Sequence, residues 1–281
     1  MRKTEETIAK IIMIAATILI LGSFFLIIGV IAFKGIPSLT WEMISKIPSG
    51  GFYIGKEGGI LNSIIGSLYI AGGASLCSLI ISIPIAMYLN IYLKKDSLLS
   101  NVTRFSADVL FGIPSIVYGA FGFTLMVFLG LKASLLAGII TVTFLVIPIM
   151  IRTIDEIASM VPGELVDSTY ALGATRLETC RVFIKKILPG IITAILLGFG
   201  RAIGDVASIL FTAGFSDNIP TSLDQPAASL PLSIFFQLGS PVQEVQNRAY
   251  AAALVLTIIV LIISITSRII SQKYQQYFNG N

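Results

Sequence analysis

Two opposite charges interrupt the apolar stretch at residues 189–213: Arg201 and Asp205. They stand four residues apart, the spacing at which side chains meet on one face of a helix and can pair. The stretch is long enough to cross a bilayer, and a charge at that depth is costly, so both residues are functional candidates. A planar guanidinium binds two oxygens of an oxyanion at once. The spacing therefore predicts a site that binds or gates an anion, with a purely structural ion pair as the alternative.

Glycines at the same spacing flank the cation. Gly200 and Gly204 form a small-x-x-x-small pattern, which lets another helix approach closely. Arg201 would then lie at a seam between subunits, where a pore could form. Arg152, at the inner end of an earlier apolar run, is a weaker candidate. Either it relays the anion toward the cytoplasm or it is an ordinary cationic anchor at the membrane surface.

The side chains that enzymes most often use are scarce in this sequence. It contains no histidine and two cysteines, and Cys77 and Cys180 fall in different environments, so we expect neither a disulfide nor a metal site. Residues 50–57 come near to a phosphate-binding loop, but Glu57 stands where that loop needs Ser or Thr. The sequence therefore predicts no catalytic residue, no cofactor and no ATP hydrolysis by this chain.

Hydropathy predicts the elements that position these residues. The mean hydropathy is +0.91, and 55% of the 281 residues are hydrophobic while only 12% are charged, which is typical of a polytopic membrane protein. Charge-poor runs long enough to span a bilayer occur at residues 11–33, 58–93, 109–131, 133–151, 187–205 and 249–267. We therefore predict an all-α membrane protein with six transmembrane helices.

The distribution of cations predicts the orientation. If the N-terminus lies inside, most of the 19 Lys and Arg residues fall on inner segments, as the positive-inside rule requires. Both termini are then cytoplasmic. The net charge of +4 follows from the same rule, so it does not indicate nucleic-acid binding.

A single membrane domain accounts for the chain. Residues 1–57 hold the first helix and an outer loop, residues 58–273 form the transmembrane core, and residues 274–281 form a cytoplasmic tail. The core contains one long inner loop at 152–189. A second outer loop, at 214–248, includes an apolar stretch that we expect to form a short interfacial helix.

The second half of the inner loop has an amphipathic pattern. From Ala174 onward, apolar residues recur at helical spacing with Arg and Lys between them. Such a helix lies on anionic lipid or docks into a partner protein. The pattern alone does not decide between membrane lipid and a protein partner.

The same loop resembles a known motif. Asp167-Ser168-Thr169, followed by Gly173, is similar to the Glu-Ala-Ala, three residues, Gly pattern of ABC importer permeases. Its acidic-Ala-Ala triplet is altered, and Pro189 comes about three positions later than is usual in that family. The resemblance implies that these residues form a coupling helix, which inserts into an ATPase subunit.

Further segments narrow the resemblance to phosphate importer permeases of the PstA type. Residues 111–119 resemble the Gly-x-Pro-Ser-Ile-Val-x-Gly segment of that family, and residues 225–231 fit its outer loop. Residues 200–213 are similar to its Ala-Arg-x-x-Gly-Glu-Thr-Ala-Pro-Leu-Leu-Phe-Thr-Ala signature. Asp205 replaces the usual Glu there, and Ala207-Ser208 replaces Ala-Pro.

This resemblance implies a type I (MetI-like) ABC importer permease in the plasma (inner) membrane of a prokaryote. The chain would form half of the pathway for inorganic phosphate. Its partners would be an ATP-binding cassette ATPase dimer, a sister permease of the PstC type and an external phosphate-binding protein. The alternatives are an ABC permease for another oxyanion, such as molybdate or sulfate, and a secondary anion transporter driven by an ion gradient.

Overall fold

The computed structural model describes residues 2–49, 57–94 and 97–278, and most of them are helical. Residues 50–56, which belong to the segment compared above with a phosphate-binding loop, and the end of the tail, 279–281, lie outside the described residues. A π-helical turn, Tyr88–Tyr92, follows the third helix. The helices are α1 Arg2–Gly35, α2 Trp41–Ser45, α3 Leu61–Met87, α4 Leu98–Gly112, α5 Ser115–Phe128, α6 Leu135–Ser159, α7 Gly163–Ala171, α8 Arg176–Ile203, α9 Leu230–Leu238 and α10 Gln243–Phe278.

Five of the described helices are long and apolar enough to cross a membrane, and the bent pair α4–α5 makes six if it counts as one span. The predicted number of six apolar spans is reached when this bent pair is counted as one span. The third span, expected over residues 109–131, is not a single helix, because α4 and α5 meet at an angle of 100°. Pro114 explains the bend. The residue before a proline avoids helical geometry, and Ile113 is extended, with ψ of 131°.

The fifth span also differs from its prediction. We expected a helix across 189–213, whereas α8 begins at Arg176, passes through Pro189 and ends at Ile203. A capping box starts it, with the Thr175 side chain accepting from the backbone of Glu178 and the Glu178 side chain accepting in return. Residues 204–213 form turns. The second half of the predicted inner loop is thus continuous with the membrane helix.

The centre of the molecule is the contact of α3 with α6. A stripe of mostly small residues, one every four positions, runs down the buried face of α3: Gly66, Ile70, Ala74, Ser78, Ser82 and Ala86. The hydroxyls of Ser78 and Ser82 donate to the carbonyls of Thr143 and Ile147 in α6. Small residues and hydroxyl donors are the groups that hold membrane helices together.

Helix α8 packs on the same central pair. Its inward face carries small residues at four-residue spacing: Gly190, Ala194, Gly198 and Ala202. At Gly198, an added Cβ would lie 2.6 Å from the Cε of Met150 in α6. This face, and not the one bearing Gly200 and Gly204, brings α8 against α6.

The segment after α8 returns into the protein and leads to α9. At Gly66, a Cβ would collide with the backbone carbonyl of Ala228, so these two backbone segments are in van der Waals contact. The Ser67 hydroxyl accepts a hydrogen bond from the Leu230 N–H at 2.7 Å. The predicted helix within 227–238 is therefore present, and its first turn is buried against α3. That it lies at the membrane interface stays a prediction.

Helix α1 is peripheral. Its apolar 18-residue window is 0% buried within the chain. The helix touches α10 at its C-terminal end, where Gly35 lies against the Tyr250 backbone and Lys34 sits 4.8 Å from the centre of the Tyr250 ring. Lipid or another subunit must cover the rest of α1.

Candidate functional site

The predicted ion pair forms at the end of α8. Arg201 Nη1 donates to Asp205 Oδ1 at 2.9 Å. Arg201 belongs to the last turn of the helix, and Asp205 lies just beyond it. The two side chains differ in environment, since 43% of Arg201 is exposed but only 4% of Asp205. The carboxylate is a fixed, buried anchor, and the guanidinium projects from it toward the surface of the chain.

Asp205 has a second bond that the sequence did not predict. Its Oδ2 accepts a hydrogen bond from the backbone N–H of Ser208 at 2.8 Å. An Asp three residues before the bonded N–H is an N-cap, which satisfies a donor at the start of a helical turn. Such turns follow directly, as Ile209 N–H donates to Val206 O and Ala213 N–H donates to Ile209 O. One carboxylate therefore holds Arg201 and starts the next segment.

Neighbouring backbone satisfies the irregular stretch after Asp205. Ser134 N–H, at the start of α6, donates to Thr212 O at 2.9 Å, and Ala227 N–H donates to Ala213 O at 2.9 Å. On the other side, a Cβ at Gly119 of α5 would lie 2.5 Å from Ala207 O. Non-helical backbone at membrane depth is tolerated where protein buries it in this way.

The face around Arg201 is open within this chain. A Cβ at Gly200 would meet nothing within 4 Å, and one at Gly204 would meet only the Gly200 carbonyl, at 3.8 Å. Leu197 and Phe211 are also exposed nearby. No described residue thus packs against Gly200 and Gly204. That another subunit packs there stays a prediction.

The depth of Arg201 follows from the length of the helix. The last cation before it is Lys186, and about 22 Å of helix separates the two residues at 1.5 Å per residue. The hydrocarbon core is about 30 Å thick. With Lys186 at one surface of the hydrocarbon core, Arg201 lies beyond the middle of that core. It is nearer to the membrane side that bears the segment 204–229 than to the side that bears α7.

Arg152 lies toward the other end of α6, in a charged cluster. Its Nε pairs with Asp108 Oδ1 at 3.0 Å, and both side chains are about half exposed. Next to this pair, Arg104 binds Asp155 through two nitrogens, at 2.8 and 3.0 Å. Asn90, in the π-helical turn, donates to Asp155 Oδ1 at 2.7 Å. The cluster joins the π-helical turn, α4 and α6, and its residues Arg104, Arg152 and Asp155 line a cavity of about 230 Å³.

Sequence reasoning missed Arg104 and Asp155. The signal was available, because an Asp near the end of an apolar run needs a cationic partner. Asp155 is 5% exposed and Arg104 is 22% exposed, so the pair is largely buried. Arg104 and Asp155 are 51 residues apart in the chain, so no local spacing in the sequence could identify them as partners.

The segment that resembles a coupling motif forms the helical hairpin α7–α8. Asp167, Ser168 and Thr169 lie on α7, and Thr169 Oγ1 is 3.1 Å from Thr179 Oγ1 of α8. Helix α7 ends in a Schellman motif, in which Ala174 N–H donates to Thr169 O and Gly173 N–H donates to Tyr170 O. Gly173 has φ of +81°, a conformation that glycine adopts without strain.

The tip of this hairpin is apolar and exposed. Leu172, beside Gly173, is 88% exposed, and Leu177, at the start of α8, is 59% exposed. Large apolar side chains this accessible, on a tip that also carries charges, are typical of a surface that another protein covers.

Among the described residues, no group of three or more His, Cys, Asp or Glu side chains could hold a metal ion. Cys77 is exposed and Cys180 is buried, and both are free thiols in the structure. The arrangement offers charge and shape rather than nucleophiles or metal ligands. An α-helical membrane bundle with an open, anchored arginine and an exposed hairpin at its other end has the features of a transport subunit.

Comparison with known proteins identifies the family. A model of binding-protein-dependent transport system inner membrane components matches residues 78–276. The phosphate transport system permease protein PstA of Yersinia pestis is 34% identical over 278 residues, covering 97% of this chain and 92% of the relative. PstA 1 of Mycobacterium tuberculosis (strain H37Rv) is 34% identical over 218 residues, covering 76% of this chain and 70% of the relative.

The fold is similar to that of a solved transporter. The MetNI methionine ABC transporter, in an inward-facing conformation, aligns with a TM-score of 0.60 at 18% sequence identity, over 76% of this chain and 95% of that chain. This likeness confirms the predicted MetI-like architecture.

This chain belongs to the family of binding-protein-dependent transport system inner membrane components. It is a permease subunit of an ABC importer and not itself an enzyme, and it works with an ATPase and a binding protein as partners. The family excludes the secondary transporter that was left open above.

Proposed function

We propose that the chain forms half of the membrane pathway of an ATP-driven phosphate importer, with Arg201 as the residue that contacts the anion. The observation that carries this proposal is the geometry of Arg201: its guanidinium is 43% exposed and anchored through Nη1 alone to a buried carboxylate. The substrate follows from the relatives, which are named as phosphate transport permeases; the one from Yersinia pestis covers 97% of this chain at 34% identity.

Asp205 orients Arg201 and leaves most of its hydrogen-bond donors available. A guanidinium has five N–H donors in a planar fork, and the bond to Asp205 uses one of them. A phosphate ion can therefore bind the remaining donors while the pair stays intact. The buried carboxylate also offsets the cost of holding a cation at membrane depth when the site is empty.

The hairpin α7–α8 is the proposed contact with the ATPase dimer. Asp167, Ser168, Thr169 and Gly173 form the coupling motif, and exposed Leu172 enters the ATPase surface. Because α8 continues through Pro189 to Arg201, a displacement of the hairpin moves the anion site without an intervening hinge loop. ATP binding would in this way switch the access of the site.

The open face at Gly200 and Gly204 is the proposed contact with a sister permease of the PstC type. Glycines here leave room for a second helix beside Arg201, and the described residues of this chain leave that room empty. The two permeases would enclose the pathway. An external phosphate-binding protein would deliver the ion to the outer loops 34–57 and 214–248.

We also propose that Arg152 is an inner relay for the anion, which is one of the two roles that the sequence left open. Its partner Asp108 is half exposed. An incoming anion can therefore reach the Arg152 guanidinium from water and compete with Asp108 for it. When no anion is bound, the pair with Asp108 keeps Arg152 in one place.

Phosphate uptake tests the proposal directly. The chain is expressed with its partner subunits in a host that lacks its own phosphate permeases, and Arg201→Gln is compared with wild type. Uptake should fall roughly tenfold or more, since a hydrogen bond to a charged group contributes about 1.5–3 kcal/mol. Arg201→Lys keeps the charge but not the fork and should retain part of the rate.

Wild-type uptake by Arg201→Gln would remove Arg201 from the mechanism. Competition separates the oxyanions: excess sulfate or molybdate should leave phosphate uptake by the wild type unchanged. If either ion is itself taken up in preference to phosphate, the substrate assignment fails.

A further inference from the structure

Helix α5 lies directly behind the backbone that anchors the Asp205–Arg201 pair. A Cβ at Gly119 would lie 2.5 Å from Ala207 O and 3.2 Å from the Cα of Ser208. We infer that Gly119 is a positioning residue for the anion site, because its lack of a side chain lets α5 support the turn whose N–H holds Asp205. The inference rests on the proposed function, since Arg201 is the residue that is positioned for the anion.

A chain of contacts leads from Gly119 to the guanidinium. Gly119 touches Ser208, and the Ser208 N–H donates to Asp205 Oδ2 at 2.8 Å. The other carboxylate oxygen, Oδ1, accepts from Arg201 Nη1 at 2.9 Å. Ser208 and Asp205 are 0% and 4% exposed, so water cannot replace a partner that either one loses. A shift of Ser208 therefore changes the position of the carboxylate that holds Arg201.

The turn is held on the side away from α5. Ser134 N–H of α6 donates to Thr212 O at 2.9 Å, and Ala227 N–H donates to Ala213 O at 2.9 Å. The Thr212 hydroxyl donates in turn to Ser208 O at 3.3 Å. The turn therefore cannot withdraw from α5 as a unit without loss of one of these bonds.

Helix α5 is also held in place. At Gly122, one turn beyond Gly119, a Cβ would lie 2.2 Å from Oγ1 of Thr141 in α6. The Tyr118 side chain is buried, and its hydroxyl donates to Leu110 O of α4 at 2.8 Å, which fixes α5 relative to α4 across their bend. Helix α5 is thus in close contact with α6 and bound to α4 on either side of the glycine.

The smallest adjustment decides where an added methyl group at position 119 would be accommodated. Moving α5 would change its contacts with α4 and α6 together, whereas moving the Ala207 carbonyl disturbs chiefly the bond from Ser208 to Asp205. With that bond weakened, Asp205 can rotate, and Arg201 turns with it. Gly119 thus sets the orientation of the guanidinium and acts on the anion only through Asp205 and Arg201.

A pair of matched alanine variants tests the inference. Gly119→Ala adds a methyl group against the turn. Gly122→Ala adds one in the same helix, against Thr141 of α6 instead of the turn. Each change forces a methyl group into a filled space, so both should lower the thermal unfolding midpoint of the purified complex. Only Gly119→Ala should alter the anion site.

Amide hydrogen exchange measures the first step, from Gly119 to the cap of Asp205. Exchange at Ser208 should be roughly tenfold faster or more in Gly119→Ala, because a hydrogen bond to a charged group is weakened. In Gly122→Ala it should stay within about twofold of wild type. The measurement uses the whole complex in nanodiscs and needs no phosphate.

Phosphate transported per ATP hydrolysed measures the second step, from the cap to the anion. In vesicles that hold the whole complex, Gly119→Ala should lower this ratio about three- to tenfold, because a misplaced contact residue slows the step it serves. Gly122→Ala should stay within about twofold. Adding Gly119→Ala to Arg201→Gln should change the ratio by less than about twofold, since the glycine then has no guanidinium to orient.

Any of four results would overturn the inference. The first is equal exchange at Ser208 in the two alanine variants. The second is faster exchange without a lower ratio of phosphate to ATP, and the third is the same relative loss on top of Arg201→Gln as in the wild type. The fourth is failure of Gly119→Ala alone to accumulate, which would assign the glycine to folding. Wild-type transport by Arg201→Gln alone would refute the proposed function, whereas exchange at Ser208 tests the contact with α5 separately.

Discussion

Arg201 and Asp205 divide one task between an exposed and a buried group. An incoming anion could compete with Asp205 for the arginine. The bond through Nη1 alone favours a different sequence of events, in which the carboxylate keeps the guanidinium in place while the anion uses the other donors. The cost of burying Asp205 is offset by two hydrogen bonds, one of them to the backbone of Ser208.

At Gly173, the backbone conformation explains why glycine is needed. Its φ is +81°, and a Cβ there would meet nothing within 4 Å. Gly173→Ala should therefore act only through the backbone, at about 1–2 kcal/mol for a left-handed conformation. Amide hydrogen exchange in the last turn of α7 should accelerate roughly 5- to 30-fold.

Two variants make this expectation specific. Gly173→Asn should have a smaller effect, because Asn visits the left-handed region more readily. Gly163→Ala, at the start of the same helix, is the matched control, since a Cβ there also meets nothing within 4 Å but φ is not positive. Faster exchange in Gly163→Ala than in Gly173→Ala would refute the backbone explanation.

At the scale of elements, α8 connects the hairpin to the anion site as one helix. Pro189 lies inside it, and proline removes one backbone hydrogen bond from a helix. The Thr193 hydroxyl donates to the Pro189 carbonyl at 3.2 Å, within the first turn after the proline. Small residues at Gly190, Ala194 and Gly198 keep this part of α8 in contact with α6, so the helix stays continuous past the proline.

Close contact of α3 with the returning segment gives a second prediction at this scale. Gly66→Ala places a methyl group against the Ala228 backbone carbonyl, which cannot rotate away as a side chain can. We expect destabilisation at or above the usual range for overpacking, about 1–3 kcal/mol. The measurement is the thermal unfolding midpoint of the detergent-solubilised protein.

Gly72→Ala, in the same helix, is the control for that change. A Cβ at Gly72 would lie 3.9 Å from a ring carbon of Phe199, an ordinary van der Waals contact. Its effect should stay within about 0.5 kcal/mol. If the two alanine variants unfold at the same temperature, the contact with Ala228 does not constrain α3.

At the scale of the whole molecule, the bent pair α4–α5 decides the topology. If the pair crosses the membrane once, the chain crosses six times and both termini lie on the same side. If it does not cross, there are five crossings and the termini lie on opposite sides. The positive-inside rule favours the first arrangement, with the termini and the hairpin α7–α8 in the cytoplasm.

Reporter fusions measure this directly. Alkaline phosphatase fused after Leu172 should be inactive, and the same enzyme fused after Asp217, in the outer loop, should be active, because it folds only outside the cytoplasm. A fluorescent protein at the C-terminus should fluoresce. Active phosphatase after Leu172 would show that the orientation is the reverse of the one proposed. A C-terminal fusion that does not fluoresce, together with a cytoplasmic N-terminus, would show five crossings and not six.

Local spacing and composition were enough to predict the class of fold and the centre of the candidate site. Spanning helices are visible as apolar runs because a bilayer imposes a length and a polarity on each one. Arg201 and Asp205 are visible because two charges at helical spacing can pair wherever the helix lies. The hairpin motif was equally local, since Gly173 and the residues of α7 form their bonds within a few positions.

Tertiary structure decided what depends on distant partners. A window of hydropathy registers apolar composition but not direction, so it could not detect the bend at Pro114 or the end of α8 at Ile203. The Arg104–Asp155 pair joins residues 51 positions apart, and their contact exists only because α4 and α6 are packed together. The bond from Ser208 to Asp205 spans three residues, yet it forms only because the chain leaves the helix at Gly204 to enter the space between α5 and α6.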